Sequence, residues 1–243
     1  IEYLDISEID GNPDITPIGQ LSALKTLNIN LRKSTKQNNL SCLNNLNNLE
    51  ELHLFGKFKK KSLKLNFNGL KTFSPQLNCI DINELPQLKS LRRLDIINQK
   101  LETLSGLENC IRLNTILLNN VKIENQNILS PIFKLKELET ISLSYIKTIT
   151  DFTFIKDKSP IKNIYLWSLN GLESIKGIEK LYLLEKYSQR GEHENKNAID
   201  FSELLKLKKL KEVEIKIGKT NKDAESKLNI IIKQIINKRS SSA

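Results

Sequence analysis

Residues 101–118 read LETLSGLENCIRLNTILL, and their apolar side chains recur with a fixed spacing. The recurring residues are Leu101, Leu104, Leu107, Cys110, Leu113, Ile116 and Leu118, separated by five steps of three and a last step of two. A step of two places both side chains on one face of a short strand, whereas steps of three fit tight 3₁₀-like turns. The stretch therefore predicts an irregular arm and a strand whose apolar side chains all point inward.

The same spacing recurs along the chain, which is the signature of a repeat architecture. Further copies begin at Ile15, Leu40, Ile82, Leu135, Leu172 and Phe201. One unit cannot bury its apolar face alone, so neighbouring units must stack into a continuous core. The predicted fold class is an α/β solenoid with about ten short parallel strands and 3₁₀-like return arms.

The repeat unit also resembles that of a known family. The pattern L-x-x-L-x-L, present as Leu91-x-x-Leu94-x-Ile96 and Leu113-x-x-Ile116-x-Leu118, is similar to the signature of leucine-rich repeat proteins. The lead-in resembles the 22-residue class of phosphatase-regulatory and bacterial internalin-like repeats. This resemblance covers residues 1–217 and implies a horseshoe with the strands on its concave face. It also implies a bacterial-type ligand-binding or inhibitory role, and a toxin-neutralising immunity protein and a host-directed adhesin or effector both fit.

We call the central inward residue of each strand its anchor. The predicted anchors are Leu4, Leu27, Leu52, Ile80, Leu94, Ile116, Ile141, Ile164, Tyr187 and Val213. The 14 residues between Ile80 and Leu94 are too few for a full return arm, and the 28 residues before Ile80 compensate. We therefore expect a distorted path through residues 55–83, with an excursion at Lys57–Lys61.

The pattern changes after residue 217. Leu228, Ile231, Ile232 and Ile235 follow helical spacing, which predicts an amphipathic helix over 220–239. Terminal repeats need a cover for their exposed core, so we expect this helix to cap the solenoid formed by 1–219. Residues 240–243 are expected to be a disordered tail.

The charge balance permits two kinds of partner. Lys and Arg number 38 against 28 Asp and Glu, giving a net charge of +10, but only six of the cations are Arg. Of the thirty side chains predicted to flank the anchors, six are acidic and four are basic, so nucleic acid is not expected in the concavity. The alternative is binding of nucleic acid or anionic lipid by a Lys-rich convex surface, at Lys57–Lys61 and Lys206–Lys211.

The sequence shows no catalytic or metal-binding pattern. All nine Gly are isolated, and Cys42, Cys79 and Cys110 lack the spacing of a zinc site or a disulfide framework. We therefore expect no cofactor, no metal and no enzymatic activity. No apolar run reaches the roughly 18 residues of a membrane-spanning helix. A cytoplasmic, monomeric protein is predicted, with secretion as the alternative because the chain begins without Met.

Two groups of side chains form the predicted binding site for a protein partner. The first contains Tyr145, Tyr165 and Trp167, with Lys186 and Arg190 as a polar rim on the next strand. Exposed aromatic residues of this kind are common interface anchors. The second is an acidic patch on the N-terminal half. It contains Glu51, Asp81 and Asp95, accompanied by His53, Phe55 and Arg93.

Overall fold

The computed structural model describes residues 1–7, 11–191, 199–217, 226 and 229–235. This part of the chain contains one parallel sheet of ten strands, ordered in the sheet as they are in the chain. The strands are β1 (Tyr3–Ile6), β2 (Thr26–Leu31), β3 (Glu51–Gly56), β4 (Thr72–Ser74), β5 (Arg93–Ile97), β6 (Thr115–Asn119), β7 (Thr140–Ser144), β8 (Asn163–Trp167), β9 (Lys186–Gly191) and β10 (Glu212–Ile217). Each repeat therefore stacks on its immediate neighbours, as in a solenoid.

Strand register follows the anchors. Leu27 pairs with Leu4 on one side and Leu52 on the other, and Ile116 pairs with Leu94 and Ile141. The anchors from β2 to β9 are almost completely buried. They join the other ladder residues in one core cluster that begins at Ile15 and includes Ile235. The predicted solenoid with a continuous core is confirmed.

Most return arms contain the 3₁₀ turns that the three-residue spacing predicts. They are Thr16–Gln20, Ser41–Asn45, Leu77–Cys79, Ile82–Gln87, Leu107–Asn109, Gln126–Lys134, Ile178–Lys180 and Ser202–Lys206. The turn at Leu107–Asn109 is typical, because the N–H of Cys110 donates to the carbonyl of Leu107 at 2.9 Å and that of Leu113 to Cys110 at 3.1 Å. Each ladder side chain thus points inward once per turn.

The fourth strand differs from its prediction. β4 is centred on Phe73, which pairs with Leu52 and Leu94, so Phe73 and not Ile80 is the anchor. Phe73 lies 21 residues after Leu52 and 21 before Leu94, which removes the irregular intervals. Ile80 is buried too, but on the return arm. Its burial explains why it resembled an anchor.

The predicted excursion at Lys57–Lys61 is also wrong. Phe58 is fully buried and pairs with Asn38 of the preceding repeat. The N–H of Asn38 donates to the carbonyl of Lys57 at 3.0 Å, and the N–H of Lys59 donates to the carbonyl of Asn38 at 2.8 Å. The segment is therefore a return arm whose lysine side chains point outward.

Residues 229–235 are helical, within the segment predicted to cap the last repeat. Ile235 is buried and Ile231 packs against the core cluster. The capping role and the domain division remain predictions, since the rest of 220–239 and the tail 240–243 lie outside the described residues. In the part of the chain that is described, no helix is long and apolar enough to cross a membrane.

Candidate functional site

Three consecutive strands present an uncharged surface on the face opposite the core. On each strand the residues at anchor −1, +1 and +3 flank the inward pair and point away from it. On β6, β7 and β8 these nine residues are Thr115, Leu117, Asn119, Thr140, Ser142, Ser144, Asn163, Tyr165 and Trp167. We call them the neutral face. In a chain that is 27% charged, such a block resembles the charge-depleted centre of a protein interface.

The predicted aromatic cluster lies at one side of the neutral face. Trp167 is 44% exposed, Tyr165 37% and Tyr145 48%. Tyr165 and Trp167 are two residues apart on β8 and therefore share a face. Tyr145 directly follows β7, and its N–H donates to the carbonyl of Trp167 at 2.8 Å. The structure thus brings these three residues together as the sequence predicted.

Tyr145 has a backbone conformation that is unfavourable for a bulky residue. Its φ is +56°, in the left-handed region. The equivalent positions of neighbouring repeats are also left-handed, with φ values of +57° at Asn98, +50° at Asn120 and +49° at Ser168. Asn tolerates this region better than an aromatic residue does. An aromatic ring therefore occupies a position where the fold favours a small polar residue, and it remains half exposed.

The predicted rim residues Lys186 and Arg190 lie on β9 beside the two rings. The Arg190 guanidinium is 6.0 Å from the centroid of Trp167, and the Lys186 ammonium is 5.7 Å from the centroid of Tyr165. Such contacts contribute about 0.5–1 kcal/mol at exposed sites. Both cations therefore help to hold the rings in place.

Each rim cation is also bound to a glutamate on β10. Arg190 donates two hydrogen bonds to Glu214, at 2.7 and 2.8 Å, and Lys186 lies 2.7 Å from Glu212. The hydrogen bonds from Arg190, then Lys216 and Ser188, lower the pKa of Glu214 to about 2. The hydrogen bond to Glu212 raises the pKa of Lys186. The rim is thus a set of ion pairs, a feature that the sequence alone did not indicate.

The predicted acidic patch is not brought together. Asp95 is only 7% exposed, and its two carboxylate oxygens accept from Arg93 Nε at 3.0 and 3.1 Å. Asp81 lies on the return arm after β4 and is paired with Lys61 at 2.7 Å. The expectation that both carboxylates face a partner is therefore wrong. Glu51 alone of the three stays exposed on the concave face.

Ser74 occupies the concave position that was predicted for Asp81. Its hydroxyl lies 2.9 Å from His53 Nδ1 and donates to Asp95 at 3.5 Å. A hydrolytic triad needs the histidine between the serine and the carboxylate, whereas here the serine lies in the middle and Arg93 holds the carboxylate. Phe55 lies nearby on β3, with the Arg32 guanidinium 4.9 Å from its ring centroid. This group is a structural network rather than a catalytic one.

The cysteines are poor nucleophiles. Burial raises the pKa of Cys79 to about 12 and that of Cys110 to about 11, so both thiols stay protonated at neutral pH. Burial also raises the pKa of Cys42. Within the described residues, no group of three or more His, Cys, Asp and Glu could hold a metal ion.

Similar proteins are found among solved structures. No family model and no curated protein matches the chain. Among solved structures, it is similar to an internalin, InlF, from Listeria monocytogenes, with 21% identity, a TM-score of 0.58, and coverage of 93% of this chain. Internalin C2 from the same organism matches at 21% identity and a TM-score of 0.49, over 88% of this chain and 80% of its own.

The ten-stranded parallel sheet, the 3₁₀ return arms and the likeness to InlF show that the chain has the leucine-rich repeat fold. At 21% identity the likeness shows the fold and not the activity. The chain spans 64% of that internalin's length.

Proposed function

We propose that this protein is a non-enzymatic module that binds a protein partner through its concave face. The observation that supports this best is the neutral face, which contains the exposed rings of Tyr165 and Trp167, has the Tyr145 ring beside it and has ion-paired strands on both sides. Interfaces commonly have this organisation, with a centre depleted in charge and enriched in Tyr and Trp, and a polar rim. The Arg93–Asp95 pair on β5 supplies one rim, and the pairs of β9 with β10 supply the other.

The dimensions of the sheet indicate how much of it a partner must cover. Ten strands about 4.8 Å apart give a sheet about 43 Å long, and a five-residue strand is about 17 Å long. The projected face is therefore on the order of 700 Å², while a standard interface buries about 800 Å² on each partner. We infer that the partner extends over most of the sheet, from the exposed Glu51 on β3 to the glutamates on β10.

The face is well suited to recognition without reorganisation. Every strand of the neutral face is paired on both sides, and the rim side chains are held by ion pairs. A preformed surface loses little conformational entropy on binding, which favours affinity. An inhibitory or immunity role, or a host-directed one, would follow from the identity of the partner.

The alternative is binding of nucleic acid or anionic lipid by exposed lysines on the return arms. Five of the predicted lysines support it, because in the described part of the chain their ammonium groups have no ion-pair partner: Lys57, Lys59, Lys60, Lys208 and Lys209. Lys61, Lys206 and Lys211 are paired with carboxylates, which weakens this surface. Retention on DNA, RNA or acidic vesicles that falls steeply with salt would favour the alternative.

Site-specific photocrosslinking tests the proposal. A photoreactive side chain at Ser142, in the centre of the neutral face, is expected to capture one protein from an extract of the source organism. A probe at Tyr182, which is 46% exposed in the segment before β9, is the matched control. The protein that is captured by the probe at Ser142 must not be captured by the probe at Tyr182. Its capture at Ser142 must also fail when Trp167 is replaced by Ala. Equal capture at both positions would contradict the proposal.

A further inference from the structure

The residues two positions before each anchor form a ladder of charges along one edge of the sheet. From β1 to β10 they are Glu2, Lys25, Glu50, Lys71, Arg92, Asn114, Glu139, Lys162, Glu185 and Lys211. Four ion pairs connect neighbouring repeats, at 2.8 Å for Lys25–Glu2, 2.6 Å for Lys71–Glu50, 2.6 Å for Lys162–Glu139 and 2.7 Å for Lys211–Glu185. Negative and positive charges thus alternate on both halves of the solenoid.

The pairs within each half also influence one another. The pKa of Lys25 is raised mainly by its hydrogen bond to Glu2, and Glu50 in the next repeat adds to the effect. The pKa of Glu185 is lowered mainly by its hydrogen bond from Lys211, and Lys162 adds to it. The alternation is therefore an electrostatic feature of the folded edge.

The ladder is interrupted at β5 and β6. If the alternation continued, the ladder position of β5 would hold a carboxylate. The chain instead has Arg92 there, and the ladder position of β6 holds the neutral Asn114. Lys71 is already paired with Glu50. Across the described ranges, Arg92 makes no ion pair, so its guanidinium is left without a carboxylate.

A cleft of about 650 Å³ lies at this interruption. Its lining residues are Arg92, Glu108, Asn109, Ile111, Arg112, Asn114, Lys136 and Glu137. Arg112 and Lys136, like Arg92, have no ion-pair partner among the residues that the structure describes. Glu108 accepts a hydrogen bond from the N–H of Gly106 at 3.1 Å. Three unpaired cations therefore face two carboxylates, and Ile111 stays 65% exposed beside them.

The two arginines contrast with the others that the structure describes. Arg93 and Arg190 are bound to carboxylates, and Arg32 lies over the ring of Phe55. Only six of the 38 cations in the chain are Arg, yet two of them line one cleft without a partner. The planar guanidinium binds phosphate with two parallel hydrogen bonds, whereas Lys acts as a point charge.

We propose that this cleft binds a phosphoryl group carried by a small organic molecule. A phosphoryl group offers three acceptor oxygens to two guanidinium forks and one ammonium, one more than a carboxylate offers. Glu108 and Glu137 leave the cleft with a net charge of +1. The side-chain amides of Asn109 and Asn114 offer further donors. The cleft is open to solvent and larger than a phosphate alone needs, and Ile111 provides an apolar contact for the rest of the molecule.

The test measures binding of inorganic phosphate and of phenyl phosphate at constant ionic strength. The arginine Nε–H resonances of Arg92 and Arg112 should shift in a saturable manner, and phenyl phosphate should bind several-fold more tightly because its ring contacts Ile111. Ile111→Ser should remove that difference. Acetate and sodium chloride at the same ionic strength should cause no saturable shift.

Arg92→Glu is the most informative variant, because it places a carboxylate next to Lys71 in the ladder and removes a guanidinium that would bind phosphate. The melting temperature should not fall, and phosphate affinity should drop at least tenfold. Lys59→Glu is the matched control with the same charge change on a distant return arm, and it should bind phosphate as the unmodified chain does. Shifts that do not saturate, or equal losses in both variants, would show general charge screening and overturn the proposal.

Discussion

Replacing Phe73 by Ala tests the position of β4, the one strand that the repeat spacing did not predict. Phe73 is completely buried and is the anchor between Leu52 and Leu94. A buried aromatic side chain removes at least about 150 Å² from water, which corresponds to about 4 kcal/mol at 25 cal/mol per Å². Measured Phe-to-Ala losses in cores, about 3–5 kcal/mol, agree. We expect the free energy of unfolding to fall by that amount.

Urea denaturation followed by two signals is the suitable assay. Far-UV circular dichroism reports on the whole solenoid, and the fluorescence of Trp167, the only Trp, reports on β8. Because one core connects all repeats, both signals should report the same loss in the free energy of unfolding.

The control is Thr72→Ala, on the same strand but partly exposed, which should cost less than about 0.5 kcal/mol. A loss below 1 kcal/mol for Phe73→Ala would mean that this side chain is not an anchor. A loss seen by circular dichroism alone would mean that the solenoid is not one cooperative unit.

Three further predictions concern backbone strain, pH and the helical cap. Gly177 has a φ of +100°, and an added Cβ would collide with the backbone of Phe152. Gly177→Ala should therefore lower the free energy of unfolding in urea by at least about 2 kcal/mol. Gly11→Ala is the control, because the space around Gly11 is open and the variant should cost only the conformational strain of its positive φ. The pKa of the Glu214 carboxylate is lowered to about 2, so its stabilising contribution is present above pH 4.5 and is lost as the pH falls through about 2. Titration of the carboxyl group followed by NMR should show this low pKa, and Arg190→Gln should raise it toward its ordinary value. An unchanged pKa in that variant would contradict the pairing. Truncation after residue 219 should cause aggregation or a large loss of stability if the helical segment covers the last repeat, and an equally stable 1–219 chain would assign that segment to another role.

The sequence predicted the fold well because burial alone determines the ladder. A solenoid core needs an apolar side chain at each inward position, so Leu101–Leu118 reveals one repeat and its copies reveal the rest. The missed strand has the pattern Leu70-x-x-Phe73-x-Pro75, in which an aromatic residue and a proline replace the usual Leu. Tyr187 is also an aromatic anchor, so it is Pro75, in place of the second inward Leu, that hid this strand.

The candidate site was only partly predictable, because charge pairing across repeats depends on register. Lys186 and Arg190 were correctly placed beside the rings, but their partners Glu212 and Glu214 lie about 25 residues away in sequence. Asp95 looked like an exposed carboxylate, yet Arg93 on its own strand neutralises it. Asp81 was misplaced because its strand was misplaced. The absence of charge on β6–β8 was visible in the sequence, but only when the flanking residues were compared strand by strand.

The most direct test of the central claim is the affinity of the purified partner, measured by calorimetry for three variants. Trp167→Ala should weaken binding by 2 kcal/mol or more, about thirtyfold, if Trp167 is a hot spot of the interface. Tyr182→Ala, an equally exposed aromatic residue in the segment before β9, and Lys59→Glu should leave the affinity within about twofold. Unchanged affinity for Trp167→Ala together with strong weakening by Lys59→Glu would contradict the account and transfer the binding site to the lysine-rich return arms.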